Sequence, residues 1–158
     1  MQTVCEQAAA LNKPMGFNLS ALFVIQFYMD AVKNTIKYAD YVFCNEDEGS
    51  AFAQAEGLEA HDRVGVAKVI AAYEKVNTAR PRVVIITQGA EPTIVVSCQS
   101  GEEPTVELID VAPIAKELIL DTNGAGDSFV GGFFSELSKG SDLKTAVNAG
   151  NTLAGKVV

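Results

Sequence analysis

Asp121-Thr122-Asn123-Gly124-Ala125-Gly126-Asp127 is the stretch that decides the fold of this chain. An apolar run, Leu118-Ile119-Leu120, comes before it, and a helical pattern from Ser128 to Leu137 comes after. The order predicts a strand, a glycine turn and a helix. Small residues at Gly124, Ala125 and Gly126 let backbone N–H groups converge at the helix N-terminus, which favours an anion. Asp127 then places a carboxylate beside that anion. A base next to an anion hole is what phosphoryl transfer to a hydroxyl requires. For a bare Gly-Ala-Gly-Asp, an ordinary turn with a helix cap is the simpler reading.

Outward from this stretch the chain alternates strand and helix patterns. Residues 14–19 read as a strand, and residues 22–37 as a helix with Phe23, Phe27, Ala31 and Ile36 near one face. Tyr41-Val42-Phe43-Cys44 is continuously apolar, as a strand covered on both faces should be. Residues 46–55 form a short helix ended by Gly57. Asp62 caps another helix, predicted to reach Val76, with Val66, Val69, Ile70 and Tyr73 inward. Val83-Val84-Ile85-Ile86 is the strongest strand. Residues 93–98 and 105–111 read as an antiparallel hairpin beyond the parallel strands. Asp142 caps a last helix through Leu143, Val147 and Ala154. The Phe129, Phe133, Leu137 stripe has helical spacing and reads as core, with Gly131-Gly132 allowing close helix packing. These elements predict an α/β layered fold with a mostly parallel sheet plus a hairpin. Gln2 to Asn12 resembles a helix feeding directly into a strand, and the chain stops inside a helical pattern. Both edges suit a piece of a larger protein.

Two short motifs sit where strands hand over to helices or turns. Asn45-Glu46-Asp47-Glu48 has the spacing of a capping box. Thr87-Gln88-Gly89 closes the Val83 strand, at the strand end where open α/β sheets bind ligands. Two better-known phosphate motifs fail. Phe129 stands where the dinucleotide fingerprint needs its third glycine. Val157 follows Gly150-Asn151-Thr152-Leu153-Ala154-Gly155-Lys156 where a P-loop needs Ser or Thr.

Composition narrows the classes of function. The chain has 158 residues, a 48% apolar fraction and a formal charge of −8. That is enough core for a folded domain, and it argues against nucleic-acid binding. The one tight basic cluster, Arg80-Pro81-Arg82, reads as a solvated loop. Three cysteines at wide spacing suggest neither a disulfide framework nor a zinc site. Cys44 and Cys98, in apolar runs, are expected to be buried thiols. His61, the single histidine, lies in a polar connection with no triad to join. No secretory signal or bilayer-spanning run is visible, so a reduced cytoplasmic compartment and no membrane partner are expected.

The order Asn45-x-x-Glu48, Thr87-x-Gly89, Asp121-Thr-x-Gly-Ala-Gly-Asp127 resembles the ribokinase-like sugar and nucleoside kinases. Asn18-Leu19-Ser20-Ala21 and the stretch from Asp121 to Gly132 add to the match, which runs from about Lys13 to Val158. The wording is most similar to members of that family that phosphorylate adenosine. The resemblance implies a ribokinase-like, Rossmann-type layered fold. It implies that residues 1–158 form one partial kinase domain, without the N-terminal portion and lid. The implied activity is transfer of the γ-phosphoryl group of ATP to the 5′-hydroxyl of adenosine, with Mg2+ as cofactor. Asp127 would be the base, and Gly124, Ala125 and Gly126 the anion hole. Asn123 would contact substrate or phosphate. Thr87 and Gly89 would line the ATP site, and Asn151 would contact adenine. Asn45 and Glu48 would organise Mg2+ through water. ATP and adenosine are the implied partners of a monomeric full-length enzyme. A non-catalytic nucleotide-binding module and a sugar kinase of the same family stand as alternatives.

Overall fold

The computed structural model describes residues 2–115, 117 and 119–158. In chain order the elements are α1 (Gln2–Ala10), β1 (Gly16–Asn18), α2 (Leu22–Ile36), β2 (Tyr41–Asn45), α3 (Glu46–Glu56) and α4 (Arg63–Ala72). There follow β3 (Arg82–Gln88), β4 (Glu91–Cys98), β5 (Thr105–Ile109), α5 (Ala125–Ser138) and α6 (Leu143–Ala154). The five strands form one sheet in the order β1-β2-β3-β4-β5. β1 and β2 run parallel, with Gly16 opposite Tyr41 and Asn18 opposite Phe43. The sheet is mixed, because connections as short as Gly89-Ala90 and residues 99–104 permit only antiparallel pairing. β4 therefore forms a tight hairpin with β3 as well as the predicted one with β5.

The chain divides into two compact units. The first comprises residues 1–86 and 94–107, and the second residues 87–93 and 108–158. The core of the first gathers Leu19, Ile25, Val42, Phe52, Ile70, Val84, Ile86 and Val96. Cys44 and Cys98 are buried thiols outside any disulfide, as expected.

Three expectations fail in this unit. On α2 the inward residues are Ile25, Val32, Thr35 and Ile36, whereas Phe23 and Phe27 are 59% and 76% exposed. Ala31 is exposed as well. The helix breaks at Tyr28 (φ −131°, ψ 30°), so a period counted from Phe23 does not carry through. The Arg80-Pro81-Arg82 cluster is not a solvated loop either. Arg82 is fully buried. Its guanidinium donates to Ile36 O (2.8 Å) and Ala39 O (3.2 Å) at the end of α2 and just beyond it, and to Ile70 O (3.1 Å), Tyr73 O (2.6 Å) and Glu74 O (3.0 Å) in the last turn of α4 and just beyond it. A cation there satisfies the carbonyls that two helix C-termini leave unpaired. This also explains why α4 stops at Ala72, short of Val76, with Tyr73 turning to ψ 149°. Burial lowers the Arg82 pKa to about 10, which still leaves it charged at neutral pH.

Arg80 and Lys75 meet the buried Asp40 carboxylate at 3.3 and 2.7 Å. Burial pushes that carboxyl up, but Lys75, the Met15 N–H and Arg80 together hold it below the usual range.

The second unit is built on α5 and α6. Phe129, Phe133, Ala146 and Val147 are buried. The helices approach through Gly132, where a Cβ would lie 2.7 Å from Ala149 O, and Gly150, where it would lie 2.9 Å from the Phe129 ring. Close packing thus accounts for Gly132 but not for Gly131, whose Cβ would meet nothing within 4 Å. The strand expected before the glycine turn is not formed by Ile119 and Leu120, which are 41% and 90% exposed and join none of the five strands. Leu118 lies outside the described residues. A strand needs a neighbour for its N–H and C=O groups, and apolarity alone supplies none. Among the described residues, no helix is long and apolar enough to cross a membrane.

Candidate active site

The N-terminus of α5 is open. Gly124 takes the N-cap position at φ 82°, ψ −6°, a left-handed conformation that glycine adopts without strain. Asp121 does not cap the helix. Its Oδ1 accepts from the Asn123 N–H (2.9 Å) and its Oδ2 from Asn123 Nδ2 (3.2 Å), closing the turn that precedes α5. The Ala125 N–H is spent on Thr122 O at 3.2 Å. Among the described residues, no side chain caps α5. Its first N–H groups have no partner inside the helix, so those of Gly126 and Asp127 face outward. A Cβ on Gly126 would meet no atom within 4 Å, and its φ is ordinary. Neither packing nor backbone requires glycine there, whereas close approach of a ligand would. Asp127 and Asn123 are both exposed. The structure thus brings Gly124, Ala125, Gly126 and Asp127 together as one helix end that could hold an anion beside a carboxylate.

The N-terminus of α3 is closed. Asn45 Oδ1 accepts from the Glu48 N–H at 2.8 Å, and Glu48 Oε2 accepts from the Asn45 N–H at 3.0 Å. The reciprocal pair is the predicted capping box. Asn45 Nδ2 also donates to Glu48 Oε1 at 3.3 Å. Glu48 is 7% exposed. Burial raises its pKa, against the Asn45 N–H bond, and the nearby Asp47 and Glu46 charges raise it further. Among the described residues, no group of three or more His, Cys, Asp or Glu side chains could cage a metal. One carboxylate with both oxygens already engaged fits a Mg2+ role only through water, with the ion's remaining ligands coming from phosphate.

The third set lies in the second unit. Thr87 is half-buried at the end of β3, and Gly89 turns the β3–β4 hairpin at φ 58°. Asn151, on α6, accepts at Oδ1 from Thr93 Oγ1 at 2.9 Å. Its Nδ2 is buried without a partner among the described residues. Thr87, Gly89, Asn123 to Asp127 and Asn151 all belong to the second unit, and Asn45 and Glu48 to the first. Thr93 escaped the sequence reading. In Thr93-Ile94-Val95-Val96 a β-branched threonine is ordinary strand material.

A family model described as pfkB family carbohydrate kinase matches residues 1–158. The chain belongs to the pfkB family of carbohydrate kinases. This pfkB-family chain is 46% identical over 149 residues to adenosine kinase of Schizophyllum commune, covering 94% of the chain and 43% of that protein. It is 40% identical over 150 residues to adenosine kinase 1 of Arabidopsis thaliana, covering 95% and 42%. The crystal structure of Anopheles gambiae adenosine kinase in complex with a di(adenosine) tetraphosphate superposes with a TM-score of 0.92 at 36% identity, over 99% of this chain and 45% of that one. The pfkB-family chain therefore spans less than half the length of the relatives it matches.

Proposed function

We propose that this chain carries the phosphoryl-transfer end of a kinase that moves the γ-phosphoryl group of ATP to the 5′-hydroxyl of adenosine, giving AMP and ADP. The observation that carries the reading is the uncapped α5 N-terminus with Asp127 exposed in its first turn. Phosphoryl transfer asks little covalent chemistry of a protein. It asks for positioning and for donors where charge develops. Outward N–H groups at Gly126 and Asp127 would meet the oxygens of the transferring group. Asp127 would accept the proton as the hydroxyl oxygen bonds to phosphorus and the bond to the ADP oxygen breaks. Asn123, tied to Asp121, would stand at the edge of the same site. Thr87, Gly89 and Asn151 would line the nucleotide site. Asn45 and Glu48 would hold Mg2+ through water, and that ion would neutralise phosphate charge when bound. The names of the relatives support adenosine as acceptor.

We read residues 1–158 as one part of a kinase domain, because the chain covers 42–43% of two curated relatives. The test is AMP formation by the protein at its relatives' full length, given ATP, Mg2+ and adenosine. Efficient turnover of adenosine, with ribose and fructose at least about a hundredfold poorer in kcat/KM, is expected for a site built on hydroxyl and base contacts. Preference for a free sugar would overturn the acceptor. ATP binding without transfer to any acceptor would overturn the enzyme.

A further inference from the structure

Asn151 leaves one polar atom unsatisfied. Its Oδ1 takes the Thr93 hydroxyl hydrogen at 2.9 Å, and its Nδ2 is buried with no partner among the described residues. Buried amide groups are nearly always paired, so an orphan points to a partner outside the chain. An amide nitrogen only donates, so that partner is an acceptor. Turning the carboxamide over does not remove the problem. It would put the oxygen in the orphan position and leave the nitrogen facing Thr93.

The NH2 group is the end left over, because the Asn151 oxygen is taken by the hydroxyl hydrogen of Thr93. The residue is fully exposed to protein and not at all to solvent, at 0% accessibility on β4. Ile94, Val95 and Val96 beside it are buried and apolar. Valine has nearly the shape of threonine, so packing gives no reason for a hydroxyl here. The hydroxyl's bond to Asn151 does.

We propose that Thr93 is a positioning residue for nucleotide binding: its hydroxyl holds the Asn151 oxygen so that the NH2 group is presented to a ring-nitrogen acceptor of the adenine of ATP. The inference rests on the reading above that places Asn151 in the ATP site. Without the Thr93 bond the carboxamide can rotate, and the donor is no longer preset. Thr93 touches no reacting atom, so its loss should appear in ATP binding and not in the chemical step.

The experiment uses the protein at its relatives' full length, with ATP and adenosine kinetics and thermal unfolding measured on Thr93→Val, Thr93→Ser and Asn151→Ala. Thr93→Val should raise the KM for ATP about tenfold, the size of one well-placed hydrogen bond, with kcat and the adenosine KM within about twofold. Thr93→Ser keeps the hydroxyl and should restore most of the loss. The double variant Thr93→Val/Asn151→Ala should be no worse for ATP than Asn151→Ala alone. If Thr93→Val disturbs β4, Asn151→Asp serves in its place. It keeps the acceptor for Thr93 and removes the donor, so it should raise the ATP KM as Asn151→Ala does. Thr93→Val that lowers the melting temperature yet leaves the ATP KM unchanged overturns the positioning role, given that Asn151→Ala raises it. Asn151→Ala with an unchanged ATP KM removes Asn151 from the nucleotide site and overturns the placement beneath the proposal.

Discussion

The N-termini of α3 and α5 begin with similar chemistry and end in opposite states. Each has an asparagine within two residues before it, Asn45 and Asn123, and a carboxylate at its third position, Glu48 in α3 and Asp127 in α5. In α3 the asparagine and the glutamate exchange bonds through backbone N–H groups, and the glutamate is buried. In α5 a left-handed Gly124 displaces the cap by one residue, so Asn123 turns back to Asp121 and caps nothing. The carboxylate is left exposed with outward N–H groups beside it. A self-satisfied helix end stabilises the fold, and an unsatisfied one is free to satisfy a ligand. One residue of offset, permitted by φ 82° at Gly124, separates the two outcomes.

The largest effect should come from Asp127→Asn. If the open end is catalytic, turnover of the full-length protein should fall by about 10²–10⁴-fold or more, because a positioned base is lost. ATP affinity and melting temperature should hardly change, since the side chain is exposed and caps nothing. Near-normal turnover would make Asp127 an ordinary exposed carboxylate and erase the functional contrast with Glu48. Gly126→Ala comes next. A Cβ there meets no protein atom, so stability should stay level or rise by up to ~1 kcal/mol from helix propensity. The same Cβ would enter the space a phosphoryl oxygen needs, and kcat should drop on the order of tenfold to a hundredfold. Opposite signs in unfolding and activity measurements would mark Gly126 as a ligand residue. A loss of both would mark it as structural.

What the sequence made legible follows the range of the forces involved. The capping box, the Gly57 stop and the Asp62 and Asp142 caps depend on neighbours three or four residues apart, and all are found. The open α5 end was legible for the same reason. The α2 face was not, because the break at Tyr28 has no Pro or Gly to announce it. Arg82 was misread because the carbonyls it binds lie 8 to 46 positions away. Only the fold reveals that two helices end at one guanidinium. Residues 119–120 misled through apolarity that no neighbouring strand absorbs. Thr93 was hidden because its partner, Asn151, is 58 residues distant.

Asn45→Ala probes the closed end. It removes the cap and the Nδ2 bond to Glu48, so stability should fall by about 0.5–2 kcal/mol. For a domain of this size that is a melting-temperature loss of roughly 1–8 °C. Asn123→Ala, the formally equivalent change at α5, should shift unfolding far less, because Asn123 bonds only Asp121 among the described residues. Equal losses in calorimetry would dissolve the distinction between a closed and an open end.

The smallest effect is expected from Glu48→Gln, and its sign is informative. Gln keeps an oxygen for the Asn45 N–H, so the capping box survives. Burial raises the Glu48 pKa in the folded state above its unfolded value. The folded protein therefore binds the extra proton more readily, and the contribution of this group to stability is full below the unfolded pKa. It is lost as pH rises through the folded pKa. A neutral Gln has no such loss. The stability advantage of the parent over the variant should thus be larger near pH 5 than near pH 7.5, read as two melting-temperature differences. If the charge at position 48 also serves Mg2+ through water, the variant should need more Mg2+ for half-maximal turnover while its adenosine KM stays put. An unchanged Mg2+ profile together with the pH-dependent stability difference would leave Glu48 as a buried cap alone. The α3 terminus would then be structural through and through, and the contrast with α5 would be complete.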